Sequence, residues 1–115
     1  MKTLRTKGRS PARSAHAALD RLIEEAIVDA YEPSEQVAGF GAMLDEHLAV
    51  PFKTAVLGVE VTVRRVDVTA EGQIMAVCAR GRFQQPIPIL DLPLPALLPS
   101  GAEWIAAYRR WARGK

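Results

Sequence analysis

The chain has little cysteine, few histidines and no long apolar segment, and each shortage excludes a class of protein. The single Cys78 rules out an internal disulfide framework and a zinc site built from several cysteines. The two histidines are 31 residues apart and lie in no zinc-binding motif. No segment approaches the ~20 apolar residues that a membrane span requires, so we expect no membrane partner. Because no apolar segment follows the basic N-terminus, a secretory signal is not expected and the predicted location is cytoplasmic.

Positive charge is missing from one long segment of the chain. Residues 22–52 contain no Lys or Arg, and they contain seven carboxylates: Glu24, Glu25, Asp29, Glu32, Glu35, Asp45 and Glu46. Since the whole chain carries +2, the remaining residues together carry +9. This segregation indicates a site for a cation or for a basic partner.

The length of 115 residues and the 49 % apolar composition indicate one domain with a substantial core. Residues 1–13 have five basic side chains and no acidic one, which is typical of a disordered basic arm. Residues 14–115 are therefore expected to form a single α+β domain.

Two helices are predicted at the N-terminal end of this domain. Apolar residues recur three and four positions apart over residues 14–30, with Ser14 placed to cap a helix. Pro33 suits the first turn of a second helix over residues 33–49. Gly39 and Gly41 inside it suggest close packing against the first helix. The pair forms a helical hairpin.

A small bent antiparallel sheet, partly barrel-like, is expected next. Alternation over residues 59–68 changes phase after Arg65, which suggests a β-bulge. Residues 74–79 form a second strand, and two prolines restrict residues 83–90 to an edge strand. Residues 100–103 have the spacing of a capping box, which predicts a C-terminal helix ending near residue 113.

Several carboxylates lie near a predicted helix end, where negative charge is unfavourable, or close together in a predicted turn. Asp29 lies near the predicted end of the first helix, Glu32 and Glu35 follow, and Asp67 and Glu71 occupy a hairpin turn. Either they form a solvated acidic face or they provide oxygen ligands for Ca²⁺, which takes six to eight oxygens. If the sheet packs against the helical hairpin, the turn would add to the same site. No nucleophile motif, phosphate loop or dinucleotide fingerprint occurs, so the protein is not expected to be an enzyme.

A spaced pattern resembles the small calcium-binding protein family first described in cyanobacteria. It comprises Ile27-Val28-Asp29-Ala30-Tyr31, Glu35-Gln36, Gly39-Phe40, Leu44, Leu48, Pro51-Phe52, residues 59–79 and Pro88-Ile89-Leu90-Asp91-Leu92. The resemblance implies a non-catalytic calcium buffer or sensor that uses surface carboxylates. The matching acidic residues are Asp29, Glu32, Glu35, Asp67 and Glu71. With fewer acids than the family and a calculated pI of about 9.0, the chain should bind Ca²⁺ weakly, at about 10⁻⁴ to 10⁻³ M.

The alternative interpretation is an interaction module. Its binding surfaces would be the basic arm of residues 1–13 and the Trp- and Arg-rich residues 104–115, and its partner a nucleic acid or an acidic protein. The aromatic residues of that helix are also spaced as a core-packing stripe would be. The oligomeric state is not predicted.

Overall fold

The computed structural model describes the backbone of residues 11–114 and the side chains of residues 14–114. Its elements follow in chain order: α1 (Pro11–Ala26), α2 (Pro33–His47), β1 (Phe52–Val56), β2 (Val59–Val68), β3 (Ile74–Arg80), β4 (Phe83–Pro88), a short 3₁₀ helix (Ile89–Asp91) and α3 (Ala102–Arg113). The α+β class, the N-terminal helical hairpin and the C-terminal helix are confirmed. The predicted basic arm lies outside the described residues except for residues 11–13, which begin α1.

The four strands form an open antiparallel sheet in the order β1-β2-β3-β4, so the small antiparallel sheet is confirmed, but its edge strands β1 and β4 do not pair and it does not close as a barrel would. The predicted irregularity in β2 is confirmed, since the pairing with β3 shifts register between Val63 and Arg65. The predicted position of β4 at an edge is also confirmed, because it pairs with β3 alone. Proline lacks a backbone N–H, and at an edge the missing donor leaves no neighbouring strand unsatisfied.

The core lies between one face of the sheet and the helices. The side chains of Phe40 and Leu44 from α2, Val63 and Ile74 from the sheet, and Ile105 from α3 are all at most 2 % exposed. The Phe40 ring also packs on Tyr108 and Trp111, at centroid distances of 5.4 and 5.3 Å. Within residues 11–114, no helix is long and apolar enough to cross a membrane.

Close approach of α1 and α2 depends on Gly39. A Cβ at this position would collide with the backbone carbonyl of Ala26 at the end of α1. The predicted packing of Gly39 is therefore confirmed. For Gly41 the prediction was wrong, because that residue faces the side chain of Val68 in β2 and not the first helix.

The helix ends differ from the sequence prediction. The first helix begins at Pro11, so Ser14 lies inside it and the predicted cap was wrong. The first helix ends at Ala26 and not near residue 30, because residues 27–29 form a turn in which Asp29 has a left-handed backbone with φ of 62°. The capping box predicted for residues 100–103 is absent; Gly101 is the N-cap of α3 and makes no side-chain cap. A capping interaction occurs at α2 instead, where the Glu35 carboxylate accepts a hydrogen bond from the N–H of Glu32.

Candidate metal site

A cleft of about 360 Å³ lies where the β2–β3 turn meets the helices. Its walls come from α2, the turn and α3, and they consist of Pro33, Ser34, Val37, Ala70, Glu71, Gly72, Tyr108, Trp111 and Ala112. The turn packs here because Val68, at the end of β2, lies against Gly41 of α2. The start of α2 and the β2–β3 turn, predicted separately as acidic, therefore face each other across one cleft.

The carboxylate of Glu35 holds the first turn of α2. Its Oε1 atom accepts hydrogen bonds from the backbone N–H of Tyr31 at 2.9 Å and of Glu32 at 3.2 Å. These two donors would have no partner within the helix. A negative charge near the N-terminus of a helix also interacts favourably with the helix dipole. Glu35 thus has a structural role that fixes the connection beside the cleft.

Asp29 and Glu32 lie in the connection between α1 and α2, and both are exposed. The left-handed backbone of Asp29 suits an aspartate, which tolerates that conformation better than most residues. The side-chain amide of Gln36 donates to the carbonyl of Ala30 at 3.1 Å and ties the connection to α2. The connection therefore presents two carboxylates from a backbone that α2 holds in place.

Glu71 and Asp67 are separated by the geometry of β2. Glu71 lines the cleft, whereas Asp67 precedes Val68, whose side chain faces α2. Because successive side chains of a strand point to opposite faces, Asp67 faces away from α2. Its Oδ2 atom accepts a hydrogen bond from Nε of Arg65 at 3.2 Å. Of the two acids predicted in this turn, Glu71 is the one that borders the cleft.

The donor chemistry suits a hard cation, but the side chains do not form a cage. Carboxylate oxygens are the ligands that Ca²⁺ prefers, and it takes six to eight of them with flexible geometry. Among the residues with described side chains, no three His, Cys, Asp or Glu side chains converge closely enough to hold a metal ion. Coordination by several of these acids would therefore require their side chains to move towards the cleft.

The aromatic residues of α3 are used in packing. Trp104 is 4 % exposed and stacks on His47 at a centroid distance of 5.3 Å, and Tyr108 is also 4 % exposed. Trp111 is half-buried and forms part of the cleft wall. The sequence pattern predicted that Trp111 lies on a helix face but did not predict its position beside the acidic residues. Its spacing from Trp104 and Tyr108 indicated core packing, and the structure confirms that interpretation.

Two arginines of α3 make contacts within the fold. The guanidinium of Arg109 donates to the backbone carbonyls of Ile89 and Leu92. Arg110 donates to Asp20 of α1 at 2.8 Å, and this hydrogen bond lowers the pKa of the Asp20 carboxyl. An interaction module would need exposed aromatic and cationic groups in residues 104–115, and the described part of this segment uses most of them internally.

Comparison with known proteins agrees with the sequence resemblance. Residues 20–112 match the model of a family described as calcium binding and named CcbP. The chain belongs to this family. One solved structure, described as a calcium binding protein in the calcium-binding form, superposes with a TM-score of 0.68 at 23 % identity, covering 84 % of this chain and 91 % of that one. At this identity the likeness establishes the fold. No curated protein matches the chain.

Proposed function

We propose that this CcbP family member is a non-catalytic protein that binds Ca²⁺ at the cleft between the start of α2 and the β2–β3 turn. The observation that carries the proposal is that Glu71 faces the first turn of α2 across this cleft. Glu32 and Asp29 lie in the connection that leads into the same turn. These three acids are the principal proposed ligands.

Glu35 and Asp67 complete the proposed set in weaker roles. One oxygen of Glu35 accepts two backbone hydrogen bonds, so this residue would bind Ca²⁺ while it continues to hold the helix start. Asp67 would have to leave Arg65 and turn towards the other face of the sheet. We therefore expect Asp67 to contribute least.

Binding would stabilise the contact between the sheet and α2. Neutralising neighbouring carboxylates removes their mutual repulsion, and an ion held by both segments links them. An ion that binds only the folded state adds about 1.4 kcal/mol at ten times its Kd. Because side chains must move and few acids are present, we expect a Kd of about 10⁻⁴ to 10⁻³ M.

Calorimetric titration of the metal-stripped protein with Ca²⁺, with Mg²⁺ as a parallel titrant, tests the proposal. We expect a saturable Ca²⁺ signal that Mg²⁺ does not reproduce, because Mg²⁺ requires a tighter octahedral site. Glu71→Gln should weaken Ca²⁺ binding several-fold, and Asp67→Asn should weaken it less. Glu60→Gln is the matched control, since Glu60 is an exposed acid of β2 far from the cleft. Absence of Ca²⁺ heat in the millimolar range, or equal loss in the Glu60 control, would contradict the proposal.

The fluorescence of Trp111 distinguishes a calcium buffer from a calcium sensor. This residue lines the cleft, whereas Trp104 is buried against His47. A sensor rearranges on binding, so its Trp111 fluorescence should change at saturating Ca²⁺. A buffer should bind Ca²⁺ with little change. A Trp111→Phe variant assigns the signal, because Trp104 alone then remains.

A further inference from the structure

The end of the sheet opposite the cleft is formed by the β1–β2 and β3–β4 turns. Val56 pairs with Val59 beside one turn, and Arg80 pairs with Phe83 beside the other. Because β2 and β3 are antiparallel neighbours, the β1–β2 and β3–β4 turns lie at the same end, and the β2–β3 turn lies at the other. The two turns are about two strand spacings apart, or roughly 10 Å.

Leu57 occupies the β1–β2 turn against two local preferences. Its backbone is left-handed, with φ of 52°, and Gly58 follows with φ of 77°. Two-residue turns with both φ values positive favour Asn-Gly, because a bulky side chain is strained in this conformation. The Leu57 side chain is also 97 % exposed, so packing within the described residues does not compensate for the strain. A leucine that is both strained and exposed is suited to a contact outside the chain.

The neighbouring turn presents a second apolar side chain with cations around it. Phe83 is 70 % exposed, and the guanidinium carbon of Arg82 lies 5.6 Å from the centre of its ring. Arg80, directly opposite Phe83, is also exposed. Residues 53–60 and 79–85 together contain three cations, Lys53, Arg80 and Arg82, and one carboxylate, Glu60.

We propose that this end of the sheet binds the surface of an anionic lipid bilayer. Leu57 and Phe83 would enter the boundary between headgroups and acyl chains, and Arg80 and Arg82 would contact the headgroup phosphates. Exposed apolar anchors beside cations are the combination that holds peripheral proteins on such surfaces. The sequence expectation of no membrane partner depended on the length of apolar segments, and it did not address a contact made by two turns.

The size and shape of the surface favour a bilayer over a protein partner. The apolar side chains of Leu57, Val59 and Phe83 supply an area on the order of a few hundred Å², well below the roughly 800 Å² per partner of a stable protein interface. The two turns are also separate projections, which a deformable lipid surface accommodates. The proposal is independent of calcium binding at the cleft.

Sedimentation of the full chain with vesicles tests the proposal. We expect binding to vesicles of phosphatidylserine and phosphatidylcholine, and much weaker binding to phosphatidylcholine alone. Leu57→Asn and Phe83→Ser should each reduce binding roughly tenfold or more, as expected for loss of one buried apolar side chain. Leu57→Asn suits the turn, so loss of folding would not explain its effect. Tyr31→Ser is the matched control, since Tyr31 is 84 % exposed in the α1–α2 connection and its replacement should leave binding unchanged.

The arginines supply a second, independent measurement. Replacing both Arg80 and Arg82 by Gln should weaken binding about twentyfold at low salt, with a smaller effect at high salt. If the Leu57 and Phe83 variants bind vesicles as tightly as the natural chain, the proposal is overturned, because attachment would then depend on another segment such as the basic residues 1–13. Absence of vesicle binding would overturn it too. A concentration-dependent dimer that Leu57→Asn abolishes would identify a second copy of the chain as the occupant instead.

Discussion

At one end of the sheet the β2–β3 turn packs against α2 and α3, whereas at the other end the β1–β2 and β3–β4 turns project into solvent. We call these the acidic end, with Asp29, Glu32, Glu35 and Glu71, and the basic end, with Leu57, Arg80, Arg82 and Phe83. At the acidic end the helices cover the end of β2, where Val68 lies against Gly41, and leave the carboxylates exposed. The basic end has no such cover, and its apolar side chains are among the most exposed in the described chain. The difference shows that the helices determine which turn of the sheet is covered, whereas the local sequence determines the charge at each end.

A pair of glycine substitutions should give the largest difference between the ends. Gly39→Ala places a Cβ against the carbonyl of Ala26, so α1 and α2 must separate. We expect a loss of about 2–3 kcal/mol in the free energy of unfolding. Gly81→Ala in the β3–β4 turn meets open space but has φ of 59°, so about 1 kcal/mol is expected from backbone strain alone. Denaturant unfolding of both variants measures the difference, and equal losses would show that helix packing does not distinguish the ends.

Leu57→Asn should stabilise the protein. Asparagine tolerates a left-handed backbone and precedes glycine in the favoured two-residue turn, so we expect a gain of about 0.5–1 kcal/mol in the free energy of unfolding. Leu97→Asn is the control, because Leu97 is 90 % exposed and its φ is not positive. A loss of stability in the Leu57 variant would show that the exposed leucine makes a stabilising contact within the fold.

The smallest expected effect concerns the ion pair between α1 and α3. The hydrogen bond from Arg110 lowers the pKa of Asp20 below its ordinary value of 3.8. The pair therefore stabilises the fold above this value, and the stabilisation is lost as the pH falls through the lowered pKa of the folded state. Asp20→Asn should be slightly less stable than the natural chain near neutral pH and equal to it in strong acid. A stability difference that is constant with pH would contradict this assignment.

The sequence was sufficient for most of the elements but not for β1. The alternation in β2 and its phase change after Arg65 are local patterns that indicate a strand directly, and the prolines of β4 restrict that strand to an edge. In β1 the central inward position is a polar residue, Thr54, whose hydroxyl donates to the carbonyl of Pro93 at 2.6 Å. Because this hydrogen bond joins residues 39 positions apart, no local pattern indicates that Thr54 is buried.

The end of the first helix was obscured for a related reason. Ile27 continues the apolar spacing of α1 and is half-buried, although it lies beyond the last helical residue. The left-handed backbone of Asp29 redirects the chain there, and tertiary packing maintains the apolar pattern.

The sequence predicted which acidic residues could bind a cation, but not which face of the sheet each one occupies. The phase change in β2 was visible in the sequence, yet the orientation of Asp67 also depends on which face of the sheet meets α2. The capping role of Glu35 and the position of Trp111 beside Glu71 likewise depend on contacts between separate elements. Such contacts are long-range and cannot be derived from spacing alone.

The bulge in β2 allows one strand to serve two unlike surfaces. Val59–Val68 spans both ends of the sheet, and the register shift between Val63 and Arg65 separates its two halves. Because the bulge adds one residue, each later side chain points to the opposite face from the one it would occupy in a regular strand. Without the extra residue, Val68 would turn away from α2 and Asp67 would face it instead, so the bulge determines which of these two side chains meets the helix.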